Sequence, residues 1–427
     1  MKFSKHKLGE LLRVTRGTSL PGTGYADEGR YLRLTLANFH EEGGFKDFKS
    51  TQGKYFVEAF DNRFLMHKGD LITPLTEQSP GLLGSVAFIP CDDLYIQSQD
   101  VGLITCNTEK LDKTFAYYLF LTRSVREQIS ARSQQTKIRH TSPDKISDVE
   151  VYLPDLPTQL RIAGVLGSID EKIELNRRKI AELEALAKTI YDYWFVQFDF
   201  PDANGRPYKS SGGKMVWNEQ LKREVPGGWE VRPLSTFSER ITKGTTPTSI
   251  GCSFTNKGVR FIKVENIMNG TIEVDNTSNY ISEQTDSKMA RSRLCESDLL
   301  ITIAGRLGDV AIVPKRILPA NTNQAVGIVR LNQDSLPIVH YLSMYLSTVQ
   351  MKTRLQTMNA QSIQKNLNLE NVGQIDILCE YAVMSKFENY IRPIRENLEC
   401  LHEEIETLTM QRDELLPLLM NGQVKVG

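Results

Sequence analysis

The chain carries one pattern twice, and that repeat restricts its fold more than any other feature. "KFSKHKLGELLRVTRGTSLP" near the beginning is answered by "VPGGWEVRPLSTFSERITKGTTP" from Val225: an apolar lead-in, then a basic-Gly-Thr loop with a nearby Pro. "RYLRLTLANF" (Arg30 to Phe39) matches "VRFIKVENI" (Val259 to Ile267), an alternating strand pattern ending on Asn38 and Asn266. "KGDLITPLTEQSPGLLGSVAFIP" and "ESDLLITIAGRLGDVAIVP" each read as strand, Gly-bearing turn, strand and Pro. "QDVGLI" is answered by "QAVGIV". Helical patterns follow in both halves, then polar stretches, "ARSQQTKIRHTS" and "NAQSIQKNLN", and a strand, "DVEVYLP" or "GQIDIL". The pattern is a tandem duplication of one α+β unit whose second copy starts at Val225.

A chain of 427 residues exceeds one ordinary core. Its 40% hydrophobic and 24% charged residues are those of a globular protein. No apolar run is long enough to span a bilayer, and no signal-peptide core follows the basic start, so a cytoplasmic protein without membrane contact is expected. The six cysteines show neither zinc-like nor redox spacing and read as reduced thiols. Lys and Arg number 52, as do Asp and Glu, so any nucleic-acid binding must use locally sorted charge rather than a global field.

Behind each copy runs a different kind of segment. Ile162, Leu166, Ile169, Ile173, Asn176, Ile180, Leu183, Ala187, Ile190 and Trp194 alternate at spacings of four and three. Phe387, Ile391, Ile394, Leu398, Leu401, Ile405, Leu408, Arg412, Leu415 and Leu419 do the same. Sustained a/d spacing predicts coiled-coil helices, each roughly 50 Å long at about 1.5 Å per residue. If they pair antiparallel with Ile173 facing Leu415 and Ile190 facing Leu398, the polar seam residues Asn176 and Arg412 share a layer and fix the register. Separate packing of each helix on its own domain is the alternative. The expected fold class is α+β. Two similar globular domains of mixed β-sheet and helices stand apart on two long antiparallel coiled-coil helices, with pseudo-twofold symmetry. The expected boundaries are 1–155, 225–380 for the domains, 156–200 and 381–427 for the helices and tail, and 201–224 for a Gly/Ser/Pro-bearing linker. Against a DNA turn of about 34 Å, such a geometry suits a ruler for two half-sites.

"LPTQLRIAGVLGSIDEKIELNRRKIAELEALAKTIYDYWFVQFDFP" (Leu156 to Pro201), "VPGGWEVRPL" (Val225 to Leu234) and "LLPLLMNGQVKV" (Leu415 to Val426) resemble the specificity subunit of type I restriction-modification enzymes, over essentially the whole chain. The family's Gly-Gly-Thr-Pro loop reads "KGTTP" here, and "TQLRI" stands where many relatives have Glu-Gln. The resemblance implies a non-catalytic subunit whose two domains each read one half of a split DNA target. It also implies two methylation subunits that bind S-adenosylmethionine, and two restriction subunits that use ATP and Mg2+. This chain itself would hold no cofactor.

Arg and Lys reach phosphates or guanine, and Asn and Gln pair with adenine. The candidate DNA contacts therefore lie on matching polar loops: Arg16 and Thr18 with Lys243, Thr245 and Thr246; then Gln135, Lys137 and Arg139 with Gln361, Gln364, Lys365 and Asn366. Arg33, Lys263 and Arg306 complete the set. "YDYWFVQFDF" has more rings than a two-helix seam buries, so Phe195, Phe198 and Phe200 are the candidate partner-binding residues, and Phe195→Asp is expected to weaken assembly with the methylation subunit. Packing of those rings on the adjacent domain is the other reading.

No glycine-rich methyl-donor loop is paired with an Asn-Pro-Pro-aromatic motif. No Walker loop, Gly-x-Ser-x-Gly elbow or metal-like histidine spacing occurs either. The rivals to a recognition subunit are a self-contained nuclease or methyltransferase, which the missing motifs disfavour, and a non-DNA coiled-coil scaffold.

Overall fold

The computed structural model describes residues 3–426, except 47–54, 79–80, 134–138, 269, 275–278 and 361–366, and gives backbone alone at 358–360. Two compact units result. The first comprises Met1–Glu174 with Glu406–Gly427, the second Leu175–Ile405.

In the first unit an antiparallel four-stranded sheet runs in the order Leu12–Arg16, Val101–Cys106, Leu71–Pro74, Ala87–Phe88. The two central strands are apolar on both faces, as a covered sheet requires. A smaller sheet joins Tyr25–Ala26, Tyr55–Phe56, Tyr31–Arg33 and Tyr95–Ile96, the last pair parallel. Ser4–Lys7 pairs with Glu150–Leu153, so the first strand closes on the last.

The second unit repeats this plan. Its four-stranded sheet has the order Ser238–Lys243, Val326–Leu331, Leu299–Thr302, Val310–Ile312. A parallel pair, Val259–Ile262 with Ala320–Thr322, stands where the first unit has Tyr31–Arg33 with Tyr95–Ile96. Glu230–Pro233 closes on Asp376–Cys379. Asn38 and Asn266 also do the same work: each side-chain oxygen accepts the backbone N–H three residues earlier, of Thr35 at 2.8 Å and of Lys263 at 2.9 Å. The duplicated sequence thus specifies a duplicated topology, down to a turn that only a short polar side chain can cap.

The long helices span Leu156–Tyr191 and Tyr381–Met420. In the first unit Ile162 and Leu166 share a core with Leu419 and Met420, and Arg412 reaches Asp170 at 3.2 Å. Asp170 also accepts from Tyr118 at 2.6 Å. In the second unit Asn176 donates to Glu404 at 2.7 Å, Ile180 packs with Leu398 and Leu401, and Trp194 lies on Phe387 and Tyr390. Within each unit the helix segments are antiparallel, but the expected register is not the one formed. Asn176 and Arg412 each take an acidic partner of their own rather than sharing a layer, and the pairing is displaced by about one heptad. A repeating apolar seam accepts either register; the charges on Asp170 and Glu404 distinguish them.

Two further expectations change. Phe195, Phe198 and Phe200 are 3%, 3% and 6% exposed, inside a core that includes Trp229, Tyr341 and Phe387, so they present no surface to a partner. The excess of rings is absorbed because the helix widens over Asp192–Val196 and the chain then turns back, with Phe198 at φ +62°. The 201–224 segment is likewise not a plain linker. Met215–Asn218 forms a hairpin with Arg223–Pro226, and Tyr208 stacks on Phe200 at 4.7 Å. Its Gly and Pro residues mark turns, while Tyr208, Met215 and Leu221 anchor it to that same core.

Candidate nucleic-acid interface

The sheet edged by Leu12–Arg16 and the sheet edged by Ser238–Lys243 end that strand in the same loop. In the first unit the strand finishes at Arg16, opposite Gly102; in the second it finishes at Lys243, opposite Gly327. The next residue is glycine because the chain runs directly over another segment. A Cβ on Gly17 would lie 2.3 Å from the Ser98 carbonyl oxygen, and one on Gly244 would lie 2.2 Å from that of Thr322. The backbone bonds match as well. Gly17 N–H donates to Val101 and Gly244 N–H to Val326; Thr18 N–H donates to Gln97 at 3.3 Å and Thr245 N–H to Thr322 at 3.0 Å. Each unit therefore places a basic residue and a threonine side by side on a clamped backbone at one end of its sheet.

Sequence reasoning missed the segment under each loop. Gln97 is 2% exposed and spends both amide hydrogens on the Thr15 and Val101 carbonyls, at 2.8 and 3.0 Å. In the second unit the support is Asn321 and Thr322, both fully buried. Asn321 donates to Asp286 at 2.9 Å and Thr322 to the Ile262 carbonyl at 2.8 Å. Gln324 hydrogen-bonds Thr246, and Arg291 donates to Thr245 at 3.4 Å. The signal was available: "IQSQD" and "NTNQ" precede the matched "VGLI" and "VGIV", as polar runs between two strands.

The remaining candidates separate by what holds them. Arg16 and Lys243 are exposed. Arg33 contacts Asp100 at 3.4 Å and Tyr25 at 3.3 Å on a half-buried strand. Lys263 lies over the Phe254 ring at 5.3 Å and near Glu265. Arg306 donates to the Val264 and Ile267 carbonyls and reaches Asp309 at 3.5 Å. Arg139 is internal bracing: it binds the buried carboxylate of Glu77 at 2.8 Å, the Ser130 carbonyl and the hydroxyls of Ser130 and Ser133. Gln135, Lys137, Gln361, Gln364, Lys365 and Asn366 lie outside the described residues.

A charged cavity of about 490 Å³ in the second unit offers no comparable loop. Its walls neutralise one another: His340 meets Glu388 at 2.6 Å and Arg316 meets Glu399 at 2.9 Å. Burial, assisted by the Arg316 charge, lowers the His402 pKa to about 4 and keeps that imidazole neutral near pH 7. Among the described residues, no group of His, Cys, Asp and Glu is placed to hold a metal ion, and no helix is long and apolar enough to cross a membrane.

Residues 2–185 and 226–378 match the family model described as type I restriction modification DNA specificity domain. Over 316 residues the chain is 25% identical to the type I restriction enzyme MjaIX specificity subunit of Methanocaldococcus jannaschii, covering 73% of this chain and 69% of that protein. Over 410 residues it is 23% identical to the HindI specificity subunit of Haemophilus influenzae, with 84% and 87% covered. Its fold is similar to the crystal structure of a type I restriction-modification S subunit from M. genitalium, with a TM-score of 0.56, 18% identity, and 98% and 96% of the two chains covered. Two copies of one loop-bearing α+β plan and a family model matched in both place this protein in the type I restriction-modification DNA specificity family, as a specificity subunit.

Proposed function

We propose that this subunit reads an asymmetric, bipartite duplex DNA target and directs adenine methylation and restriction by partner subunits. The observation that carries this reading is the basic-Gly-Thr loop, built twice on the same backbone clamp with different side chains around it. One scaffold with two loop chemistries suits two unlike half-sites, one read by 1–155 and the other by 225–380. Arg16, Thr18, Lys243, Thr245 and Thr246 are the leading contacts. Arg33, Lys263 and Arg306 are secondary ones, since intramolecular contacts already hold them. Gln135 and Lys137, with Gln361, Gln364, Lys365 and Asn366, lie on the second pair of matched polar stretches, "ARSQQTKIRHTS" and "NAQSIQKNLN".

The two long helices act as an antiparallel coiled-coil spacer, giving the subunit pseudo-twofold symmetry and setting the unread gap. Two methylation subunits with S-adenosylmethionine and two restriction subunits with ATP and Mg2+ supply the chemistry, in the cytoplasm. The test is a genome-wide N6-methyladenine map of cells making this chain with its cognate methylation subunit, against cells lacking it. The expected result is a new split motif with two unlike halves at fixed spacing. An assembled complex that leaves no new motif overturns the reading.

A further inference from the structure

The two loops share a backbone but differ in how their cation is held. Arg16 Nε donates to the Gln99 carbonyl at 2.6 Å, so the guanidinium is fixed to the segment beneath it. Its two terminal nitrogens have no partner among the described residues and remain open. That same segment also grips the loop through one Gln97 amide hydrogen on the Thr15 carbonyl, the Gly17 and Thr18 N–H bonds, and the close passage of Gly17 over Ser98, while the second Gln97 amide hydrogen braces the segment itself at the Val101 carbonyl. An exposed arginine ordinarily samples many rotamers; this one is tied at Nε to a backbone that cannot slide. Lys243 occupies the equivalent place, exposed and without a hydrogen-bond or ion-pair partner among the described residues.

We propose, resting on the DNA-reading function above, that Arg16 is a base-reading residue that specifies a guanine in the half-site of the first unit, while Lys243 only anchors a phosphate in the other. A planar fork with its terminal N–H groups free matches the O6 and N7 acceptors of guanine in the major groove. An ammonium on a flexible stem is a point charge, which suits phosphate and carries no base code. Gln97 and Gln99 are then positioning residues, acting through Arg16 rather than touching DNA.

The experiment uses the complex of this chain with its cognate methylation subunit, in cells and purified, with Arg16→Lys, Lys243→Arg and Gln97→Met variants. The methylation map of the unchanged chain comes first; no split motif there overturns the DNA-reading function itself. Given a motif, Arg16→Lys keeps the charge on an exposed residue and is expected to make one guanine position in one half degenerate. On duplexes varied at that position, discrimination of about 5- to 150-fold is expected to be largely lost. Lys243→Arg leaves both halves of the motif unchanged. Gln97→Met relaxes the same guanine position as Arg16→Lys, which general loss of stability would not do. A motif unaltered by Arg16→Lys, with methylation weakened equally on all sites, identifies a phosphate contact and overturns the inference. Degeneracy of the second half in Lys243→Arg overturns the contrast between the loops.

Discussion

Phe195 lies with its ring centroid 4.5 Å from that of Tyr341, 4.9 Å from Phe387 and 5.9 Å from Trp229. Such edge and tilted contacts each add to the burial of a large apolar side chain. Removing a buried Phe costs about 3–5 kcal/mol, and a carboxylate placed there without a partner costs more. Phe195→Asp is therefore expected to unfold the second unit, while Phe195→Leu retains most of its stability; thermal melts followed by circular dichroism separate the two. A Phe195→Asp chain that melts normally yet fails to join its partners would restore the surface role. The sequence could not make this distinction, because ring count fixes how much must be buried and not what buries it. Gly17 and Gly244 show the opposite case. Their place between a basic residue and a threonine was legible twice, while the reason for glycine, a neighbouring carbonyl under 2.5 Å from any Cβ, is a tertiary contact.

Among the elements, the long helices were the most legible. Their apolar period predicts both, and the structure has them at 36 and 40 residues. Register was not legible, since a heptad repeat looks the same after sliding by seven. The Asn176 side chain is fully buried and donates to Glu404. Glu404→Leu alone deprives that amide of its acceptor, at an expected cost of about 1–3 kcal/mol. Adding Asn176→Leu is expected to recover most of the loss, because an apolar pair fills the seam without an orphaned amide. Urea denaturation of the single and double variants measures this coupling; equal losses in both would mean that the pair contributes nothing to the register.

For the whole molecule, one strand order recurs in both units, each with its own sheet and its own buried core, and the proposed function has each unit read one half-site. Exchanging residues 1–155 for the corresponding part of a relative is expected to rewrite one half of the methylated motif and leave the other half intact. Sequencing of N6-methyladenine in cells carrying the hybrid reads this directly. Changes in both halves would show that the readers are not independent.

The amino-acid sequence by itself determined the duplication, the α+β class of each copy, the two long helices and the basic-Gly-Thr loops. These follow from local patterns: strand alternation, heptad spacing and turn residues act over a few positions and leave a readable period. Tertiary structure alone decided the rest. It sent Phe195, Phe198 and Phe200 inward and enlisted Arg139 to neutralise the buried Glu77. It also gave Asn176 and Arg412 separate acidic partners, and set Gln97 and Asn321 beneath the loops. Each of those outcomes depends on which distant group arrives at hydrogen-bonding or van der Waals distance, and that is a property of the packed chain rather than of any stretch of it.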